Sequence, residues 1–349
     1  MTTAADWVAS LSPWPRDGFG LDRMRALLNG LGDPQRAYPA IHVVGTNGKS
    51  TATRTIEALL LADGISVGST VSPHVLGWSE RIRLDGRDAD FEAAVARVRP
   101  VAEQVGATQF ETVTAAALAE FAAREVDVAV VEAGLGGRYD ATNVLDTRVV
   151  LLTNVGLDHT DVLGETLEEI AGEKLAVAHE GSIVVLPDNT YVSLVPGRRV
   201  VLGGAREAAE AFAGHPLRTD VDVELPGRLE KRPGEVRDGA HNPDGVRWLI
   251  ARLSPVDYTI CASILRDKDA VQMLAELAQI GHRFVATQSS NDRALSAPEL
   301  ARHAEPLFDV VEAVSDPAEA LARAHELGDP VLVTGSLYLL ADLAREEAA

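Results

Sequence analysis

Apolar, β-branched runs alternate with segments of helical periodicity along most of this chain, and that alternation limits the folds it can adopt. Runs that are apolar at nearly every position suit strands covered by helices on both faces, and such sheets are mainly parallel. The predicted strands are Ala40–Gly45, Val126–Glu132, Arg148–Val155, Asp257–Leu265, His282–Gln288, Phe308–Val314 and Pro330–Thr334. The predicted helices are Lys49–Asp63, Thr166–His179, Asp269–Ile280 and Asp316–Leu327. The sequence therefore predicts an α/β fold with mainly parallel sheets.

The alternation is interrupted between residues 203 and 224. An alanine-rich segment, Ala205–Ala213, predicts one helix there, and polar residues and Pro226-Gly227 follow it. Because 349 residues exceed the usual size of one domain, we place a domain boundary in this stretch. The predicted domains are residues 1–222, with the larger sheet, and residues 223–349, with a smaller one.

Composition excludes several classes of function. The 52 acidic residues outnumber the 32 basic ones, and a formal charge of −20 repels phosphate backbones, so no nucleic-acid partner is expected. The single cysteine, Cys261, excludes an internal disulfide and a cysteine-rich metal site. No apolar run is long enough to span a bilayer, and no secretory signal is visible. We therefore expect a cytoplasmic enzyme or binding protein with no membrane partner.

The segment His42–Thr51 is the first candidate site, because a buried strand runs into a glycine turn that opens a helix. Backbone N–H groups of such a turn and the positive end of the helix attract phosphate oxygens. Lys49 can reach the terminal phosphates, and the two hydroxyls after it can bind phosphate or Mg²⁺. The spacing is shorter than that of the full P-loop, so the alternative is a turn with no ligand. The predicted phosphate-binding residues are Gly45, Thr46, Asn47, Gly48, Lys49, Ser50 and Thr51.

Glu132 and His159 lie at or just past the ends of predicted strands, the edge at which open α/β sheets bind ligands, and Ser72 lies in a loop that follows a strand. A carboxylate such as that of Glu132 is a natural Mg²⁺ ligand beside a nucleotide's phosphates. The alternative interpretation is that Glu132 forms a structural ion pair with an arginine. Ser72 adjoins Pro73 and could present an oxygen ligand, unless its loop is only a surface connection. The imidazole of His159 can ligate a metal, although a lone histidine is more often a hydrogen-bonded surface or core residue.

Lysine is rare in this chain, and every other basic residue apart from histidine is arginine. The lysines are Lys49, Lys174, Lys231 and Lys268. The simplest cause of this pattern is a coding bias towards arginine and alanine. A retained lysine is then a candidate for work that a guanidinium cannot do, such as reacting through its amine. Lys174 lies among glutamates of a predicted helix, so its alternative is a solvated salt bridge.

In the second domain, Asp238 and His241 flank Gly239 at a predicted strand end, shortly after Arg228. These residues could belong to a site in the second domain. The alternative interpretation is a turn that caps the next helix and has no function in binding.

Taken in order, these segments resemble the Mur ligase superfamily and, within it, the folylpolyglutamate synthase/dihydrofolate synthase family. The resemblance covers nearly all of the chain. Its motifs are FGLDRMRALLNGLGDPQ, GTNGKST, SPH with SERIRLDG, FETVTAAAL, GLGGRYDATN, LDHTDVLGETLEEIAGEK, PGRLE, DGAHNP, RDKDAVQML and TGSLYLL. It implies a Mur-ligase-like fold, with a P-loop central domain that binds ATP and a smaller Rossmann-like C-terminal domain that carries the glutamate ligase part.

The resemblance also implies an activity. ATP would phosphorylate a substrate carboxylate, and the amine of L-glutamate would attack the acyl phosphate to form an amide. The acceptor would be of folate type, dihydropteroate or tetrahydrofolate or both. The implied cofactors are ATP and two Mg²⁺ ions, and the enzyme is expected to be a monomer.

Site roles follow from the same match. Gly48–Thr51 would cradle ATP, with Arg228 and Asp238 as further nucleotide contacts from the second domain. The implied Mg²⁺ ligands are Ser72, Glu132 and His159, and the implied catalytic residues are Lys49, Lys174 and His241. Lys174 matches a lysine that the family carries carbamylated, which would help to hold a second Mg²⁺. Phe110 and Glu111 lie in the segment that resembles the pterin-side contact region.

Some departures keep two alternatives open. Ser50 directly follows Lys49 where the family usually has glycine, and the stretch between Lys174 and Arg228 is short. Gly203-Gly204 stands before the helix that in the family begins with an adenine-contacting asparagine. The alternatives are a Mur-superfamily ligase with a different carboxylate acceptor and an ATP-binding homologue that has lost catalysis.

Overall fold

The computed structural model describes residues 2–15 and 18–348. The chain forms two compact units. The first comprises the chain up to Pro73 together with Trp78–Val223, and the second comprises His74–Gly77 and the chain from Glu224 onward.

Within the described residues, the first unit is built on one eight-stranded sheet. Its strands are β1 (Ala40–Val44), β2 (Val67–Thr70), β3 (Ile82–Leu84), β4 (Arg87–Asp88), β5 (Val128–Glu132), β6 (Thr147–Leu152), β7 (Ile183–Leu186) and β8 (Arg199–Leu202). The strand order is β4-β3-β2-β5-β1-β6-β7-β8, and only the pairs made by β3 are antiparallel. The mainly parallel sheet predicted from the apolar runs is confirmed.

Helices cover this sheet, and β1 and β5 are buried at every position. The helices are α1 (Ala4–Ser10), α2 (Asp22–Gly30), α3 (Lys49–Ala62), α4 (Phe91–Val105), α5 (Gln109–Ala123), α6 (Thr160–Leu163), α7 (Leu167–Leu175) and α8 (Ala205–Ala213). Short 3-10 turns occur at Pro34–Arg36, Trp78–Arg81 and Val192–Leu194. The parallel pairing of β1 with both β5 and β6 brings the carboxyl ends of these three strands to one edge of the sheet.

The second unit has its own sheet, six-stranded in the described residues, with the order β13-β12-β11-β14-β10-β9. Its strands are β9 (Glu230–Arg232), β10 (Glu235–Arg237), β11 (Thr259–Ala262), β12 (Arg283–Ala286), β13 (Val310–Ala313) and β14 (Val331–Thr334). Its helices are α9 (Pro243–Ile250), α10 (Ala270–Leu277), α11 (Ala297–Ala304), α12 (Pro317–Leu327) and α13 (Leu337–Ala348). Only β9 runs antiparallel to its neighbour, so this sheet is also mainly parallel.

The short segment His74–Gly77 contributes Val75 to the core of the second unit. Val75 is 5 % exposed and lies in the same apolar cluster as Leu337 and Leu340 of α13. Nothing in its sequence distinguishes this segment from a surface loop.

The predicted elements are present with small shifts at their ends, and one helix is clearly shorter. The predicted helix Thr166–His179 ends at Leu175, where Ala178 N donates to the Leu175 carbonyl in a turn that leads into β7. No helix among the described residues is long and apolar enough to cross a membrane.

Candidate active site

A glycine turn connects β1 to α3, as the sequence predicts. Gly48 adopts a left-handed conformation with φ of 79° as the residue that precedes the first turn of α3. At Gly45, φ is 150°, and a Cβ atom would lie 1.9 Å from the Thr153 hydroxyl. A side chain at Gly45 would therefore meet both backbone strain and a direct clash.

We call the glycine turn with the start of α3, residues Gly45–Thr51, the phosphate loop. The segment that follows β6 contacts this loop through hydrogen bonds. Thr46 N donates to the Asn154 carbonyl at 3.1 Å, and Asn47 N donates to the Asn154 side-chain oxygen at 2.8 Å. The Thr153 hydroxyl donates to the Asn47 carbonyl at 2.7 Å. The sequence alone does not single out Thr153 and Asn154, which directly follow β6 but lie inside the strand predicted for Arg148–Val155.

Two lysines converge on one carbonyl of the loop. Lys49 Nζ donates to the carbonyls of Gly45 and Thr46, both at 3.2 Å, and Lys174 Nζ donates to the Gly45 carbonyl at 3.0 Å. Lys174 is 4 % exposed, so the solvated salt bridge considered as its alternative is excluded.

The surroundings of Lys174 favour its neutral form. Burial is the main reason that its pKa falls to about 7, and the positive charge of Lys49 contributes in the same direction. Carboxylates that oppose this shift belong to Asp158, Asp140 and Glu173. A sizeable fraction of Lys174 is therefore an uncharged, nucleophilic amine near neutral pH.

The carboxylate of Glu132, at the end of β5, joins α3 to the loop after β2. Its Oε1 accepts a hydrogen bond from the Ser50 hydroxyl at 3.2 Å, and its Oε2 accepts one from Ser72 N at 3.1 Å. Glu132 is 4 % exposed. Three sequence-predicted residues, Ser50, Ser72 and Glu132, are thus brought together.

These residues fit a magnesium ion bound together with a nucleotide. Their side-chain donors are a carboxylate and two hydroxyls, the oxygen ligands that Mg²⁺ prefers. In the part of the chain that the structure describes, no group of three or more His, Cys, Asp or Glu side chains is placed to hold a metal ion alone. Mg²⁺ commonly uses one or two carboxylates and takes its other ligands from substrate phosphates and water.

His159 precedes α6 in a left-handed backbone conformation, with φ of 52°. Its backbone N–H donates to the Asp158 carboxylate at 2.9 Å, and its Nε2 lies 3.8 Å from the same oxygen. Asp158 is among the groups that act on the pKa of Lys174, so the segment that carries His159 lies near that lysine.

The glycine-rich loop after β5 allows two close contacts. A Cβ at Gly134 would lie 2.6 Å from the ring of Phe110, and one at Gly137 would lie 2.5 Å from the Lys174 carbonyl oxygen. The loop therefore packs on Phe110 on one side and on the backbone of α7 on the other.

Glu111 has a structural role at the start of α5. Its Oε2 accepts hydrogen bonds from Thr108 N, from the Thr108 hydroxyl and from Arg23 Nε, all at 2.8 Å. Thr108 and Glu111 form a capping box, a pattern that the spacing T-x-x-E signals. A part for Glu111 in substrate binding stays a prediction.

A row of buried, hydrogen-bonded polar side chains holds the same glycine-rich loop in place. The sequence alone does not single out these residues. Asp140 accepts a hydrogen bond from Leu135 N at 2.7 Å and one from the Thr142 hydroxyl. That hydroxyl lies 2.7 Å from His42 Nε2 on β1. Burial, reinforced by His179, lowers the pKa of His42 to about 3, so this imidazole is neutral.

In the second unit, Asp238 organises the turn that follows β10. Its two oxygens accept hydrogen bonds from Leu229 N at 2.7 Å and from Ala240 N at 2.8 Å. Burial raises the pKa of Asp238, while these bonds and the nearby Arg228 act against the shift. His241 Nδ1 lies 2.8 Å from the Gly239 carbonyl, so Arg228, Asp238 and His241 occupy one region of this unit.

The fold and the phosphate loop define a Mur ligase. The Mur ligase middle domain family matches residues 43–198, and the Mur ligase glutamate ligase domain family matches residues 227–337. The chain is 30% identical to the dihydrofolate synthase/folylpolyglutamate synthase of Mycobacterium tuberculosis, over 93% of this chain and 89% of that protein. The chain belongs to the dihydrofolate synthase/folylpolyglutamate synthase family, and it is an ATP-dependent ligase.

Solved structures agree with this assignment. E. coli FolC in complex with DHPP and ADP superimposes with a TM-score of 0.89 at 25% identity, covering 99% of this chain and 98% of that one. A bifunctional folylpolyglutamate synthase/dihydrofolate synthase with Mn, AMPPNP and L-glutamate bound gives a TM-score of 0.87 at 28% identity, covering 100% and 99%. The Mur-ligase-like fold and the family predicted from the sequence motifs are confirmed.

Proposed function

We propose that this enzyme joins L-glutamate to the carboxylate of a folate-type acceptor, dihydropteroate or tetrahydrofolate or both. A carboxylate oxygen of the acceptor attacks the γ-phosphorus of ATP, releasing ADP and leaving an acyl phosphate. The uncharged glutamate amine then attacks the acyl carbon, the amide forms, and phosphate departs with the former carboxylate oxygen and takes up the proton that the amine loses. The observation that carries the proposal is the convergence of Lys49 and Lys174 on Gly45, in a chain that matches the family over most of its length.

The phosphate loop supplies positioning and positive charge, which provide most of the catalysis in phosphoryl transfer. The backbone N–H groups of Gly48–Thr51 at the start of α3 face the phosphates in this proposal, whereas those of Thr46 and Asn47 already donate to Asn154. Lys49 exchanges its present carbonyl partners for the terminal phosphates. Because its ammonium already lies over the loop, only a small rearrangement of its side chain is required.

Ser72, Glu132 and His159 are the proposed protein ligands of Mg²⁺, with Ser50 beside them. When bound, the ion neutralises charge on the phosphates. The hydrogen bonds from Ser50 and from Ser72 N orient the Glu132 carboxylate and hold it in place between α3 and the Ser72 segment.

We propose that Lys174 is carbamylated and helps to hold a second Mg²⁺. Its neutral amine attacks CO₂, forms the N–C bond and loses one proton, which leaves a carboxylate on the side chain. Burial of Lys174 and the lowering of its pKa to about 7 support this step, since only the uncharged amine reacts.

Residues 1–222 are proposed to act as the ATP-binding domain and residues 223–349 as the glutamate ligase domain. Arg228 and Asp238 are proposed nucleotide contacts, and His241 is proposed to act near the γ-phosphate and the incoming glutamate. Phe110 and Glu111 are proposed to lie beside the pterin. The enzyme is proposed to act as a monomer, which light scattering coupled to gel filtration tests.

An acceptor panel tests the function. Purified protein is incubated with ATP, Mg²⁺ and L-glutamate together with dihydropteroate, tetrahydrofolate or a muramyl peptide, and ADP and products are measured. We expect ADP release and a product heavier by one glutamate residue with at least one pterin. Product with the muramyl peptide alone would identify a different acceptor class, and tight ATP binding without any turnover would identify an inactive homologue.

A further inference from the structure

Arg54 is a buried cation on the same face of α3 as Ser50, one helical turn further along. Its side chain is 2 % exposed, so its charge and its hydrogen-bonding groups require partners inside the protein. Neither the motif match nor the proposed function gives this residue a role.

The guanidinium of Arg54 contacts both ends of the segment that carries Ser72. We call the first-unit residues 71–73 and 78–79 the Ser72 loop; Ser69 lies in β2 just before them, and Glu80 directly follows. Arg54 Nη1 donates to the Ser69 hydroxyl, and Nη2 donates to the Glu80 carbonyl at 2.6 Å. One side chain thus connects α3 to residues just before and just after the Ser72 loop.

The same two elements are connected a second time by Glu132, which accepts hydrogen bonds from Ser50 on α3 and from Ser72 N in the loop. Any movement of the Ser72 loop relative to α3 would change the separation of these oxygen ligands. We propose that Arg54 is a positioning residue that fixes the Ser72 loop against α3 and so sets the geometry in which Ser50, Ser72 and Glu132 receive Mg²⁺. This inference rests on the metal site of the proposed function.

A purely structural ion pair explains the contacts of Arg54 less well. Its carboxylate partner Glu57 lies 3.4 Å away and is shared with Arg83 at the same distance. The closer contacts of Arg54 are those to the uncharged groups of Ser69 and Glu80. A planar guanidinium can reach two such groups at once, whereas a lysine ammonium is a single point on a flexible stem.

Magnesium-dependent nucleotide binding tests this proposal without requiring turnover. The affinity for AMPPNP is measured by calorimetry over a range of Mg²⁺ concentrations, for the wild type and for Arg54→Lys. We expect the Mg²⁺ concentration at half-maximal effect to rise about tenfold in the variant, the size of change that follows from losing hydrogen bonds to a charged group. Affinity in the presence of a chelator is expected to stay unchanged, because the phosphate loop is untouched.

Two further variants make the test specific. Arg83→Lys is the matched control, because Arg83 also lies 3.4 Å from Glu57 but its other contacts are Gly86 and Asp88. We expect the wild-type response from it. Ser69→Ala removes one contact of Arg54 without disturbing the buried charge, and we expect a smaller shift in the same direction even where Arg54→Lys folds poorly.

An unchanged Mg²⁺ response in Arg54→Lys and Ser69→Ala, or an equal shift in Arg83→Lys, overturns the role of Arg54 while leaving the metal site standing. A wild type whose AMPPNP affinity does not depend on Mg²⁺ overturns the metal site and this inference together. Failure of every acceptor in the ligase assay, with the Mg²⁺ response intact, counts against the proposed acceptor class only.

Discussion

The side-chain nitrogen of Lys174 donates a hydrogen bond to the backbone carbonyl of Gly45 at 3.0 Å. This contact connects α7 to the phosphate loop, across 129 positions of the sequence. It places a buried amine beside the residues that we propose to bind ATP. Because the Gly45 carbonyl also accepts from Lys49, removal of either lysine changes the loop's environment.

Replacing Lys174 by alanine is expected to abolish ligase turnover and to allow partial rescue. A short carboxylate such as acetate or formate can enter the space left by the side chain and replace the carbamate oxygens. The measurement is product formation by Lys174→Ala over a range of acetate concentrations, with chloride at equal ionic strength as the control. Wild-type activity in the variant without any additive would show that Lys174 has no such role.

Carbamylation itself has a spectroscopic signature. Wild-type protein equilibrated with ¹³C-bicarbonate at pH 8, above the lowered pKa of Lys174, is expected to show one carbamate carbon signal by NMR. The signal is expected to weaken below pH 7, where the amine becomes protonated, and to be missing in Lys174→Arg. A spectrum identical in wild type and Lys174→Arg contradicts carbamylation.

Removing the charge of Glu132 tests the metal site. Glu132→Gln keeps the shape of the side chain but loses the anionic oxygens, so kcat is expected to fall on the order of a hundredfold or more. The matched control is Glu120→Gln, since Glu120 is equally buried but pairs with Arg97 and Arg124 on α4 and at the end of α5. A comparable loss of kcat in both variants would indicate general damage instead of a metal site.

Gly45→Ala is expected to weaken ATP binding strongly. The new Cβ atom would lie 1.9 Å from the Thr153 hydroxyl, and a φ of 150° adds strain of about 1–3 kcal/mol for an alanine. Calorimetric titration with ATP measures the loss. Gly172→Ala in α7 is the control, because no atom lies within 4 Å of its added methyl group and wild-type affinity is expected. Equal affinities in wild type and Gly45→Ala would contradict the assigned loop.

The positions of the main elements could be predicted from the sequence because their signals are local. The apolar run before Gly45 and the polar, helix-starting residues after Gly48 predict β1 and α3, and the structure places them at Ala40–Val44 and Lys49–Ala62. The positions of Lys49 and Glu132 near strand ends of an open α/β sheet, where ligands bind, could also be predicted, while their roles in binding stay predictions.

The residues whose hydrogen bonds hold the site in place could not be predicted from the sequence. Arg54 is charged, and the usual pattern assigns charged helical residues to solvent, yet its partners Ser69 and Glu80 come from elements distant in sequence. His42 stands in an apolar run and contacts Thr142, which lies 100 positions later in the sequence. Such contacts depend on how the strands are ordered in the sheet, which one sequence does not specify.

Stability of the second unit is expected to depend on pH through His325. Burial alone would lower its pKa, but hydrogen bonds to Asp329 at 2.6 Å and Glu235 at 3.3 Å outweigh this, so the pKa is raised. A raised folded-state pKa contributes stability below the unfolded value near 6.5, and this is lost as pH rises through the folded value. Because His325 is partly exposed, the contribution is expected to be less than about 1 kcal/mol.

Urea unfolding at pH 5.5 and pH 8.5 measures this effect. The difference in midpoint between wild type and His325→Gln is expected to be larger at pH 5.5, where the wild-type imidazole is protonated. A difference that is equal at both pH values would remove His325 from the account of pH-dependent stability.

Phosphorylation of the acceptor carboxylate is tested most directly by following one of its oxygen atoms into the released phosphate. The accepted pterin is prepared with ¹⁸O in its carboxylate, and the phosphate released during ligation is analysed by mass spectrometry. An acyl phosphate predicts that each phosphate formed together with an amide carries one ¹⁸O atom from the acceptor. Amide formation with phosphate that contains no ¹⁸O would contradict the account, because the carboxylate would not have been phosphorylated.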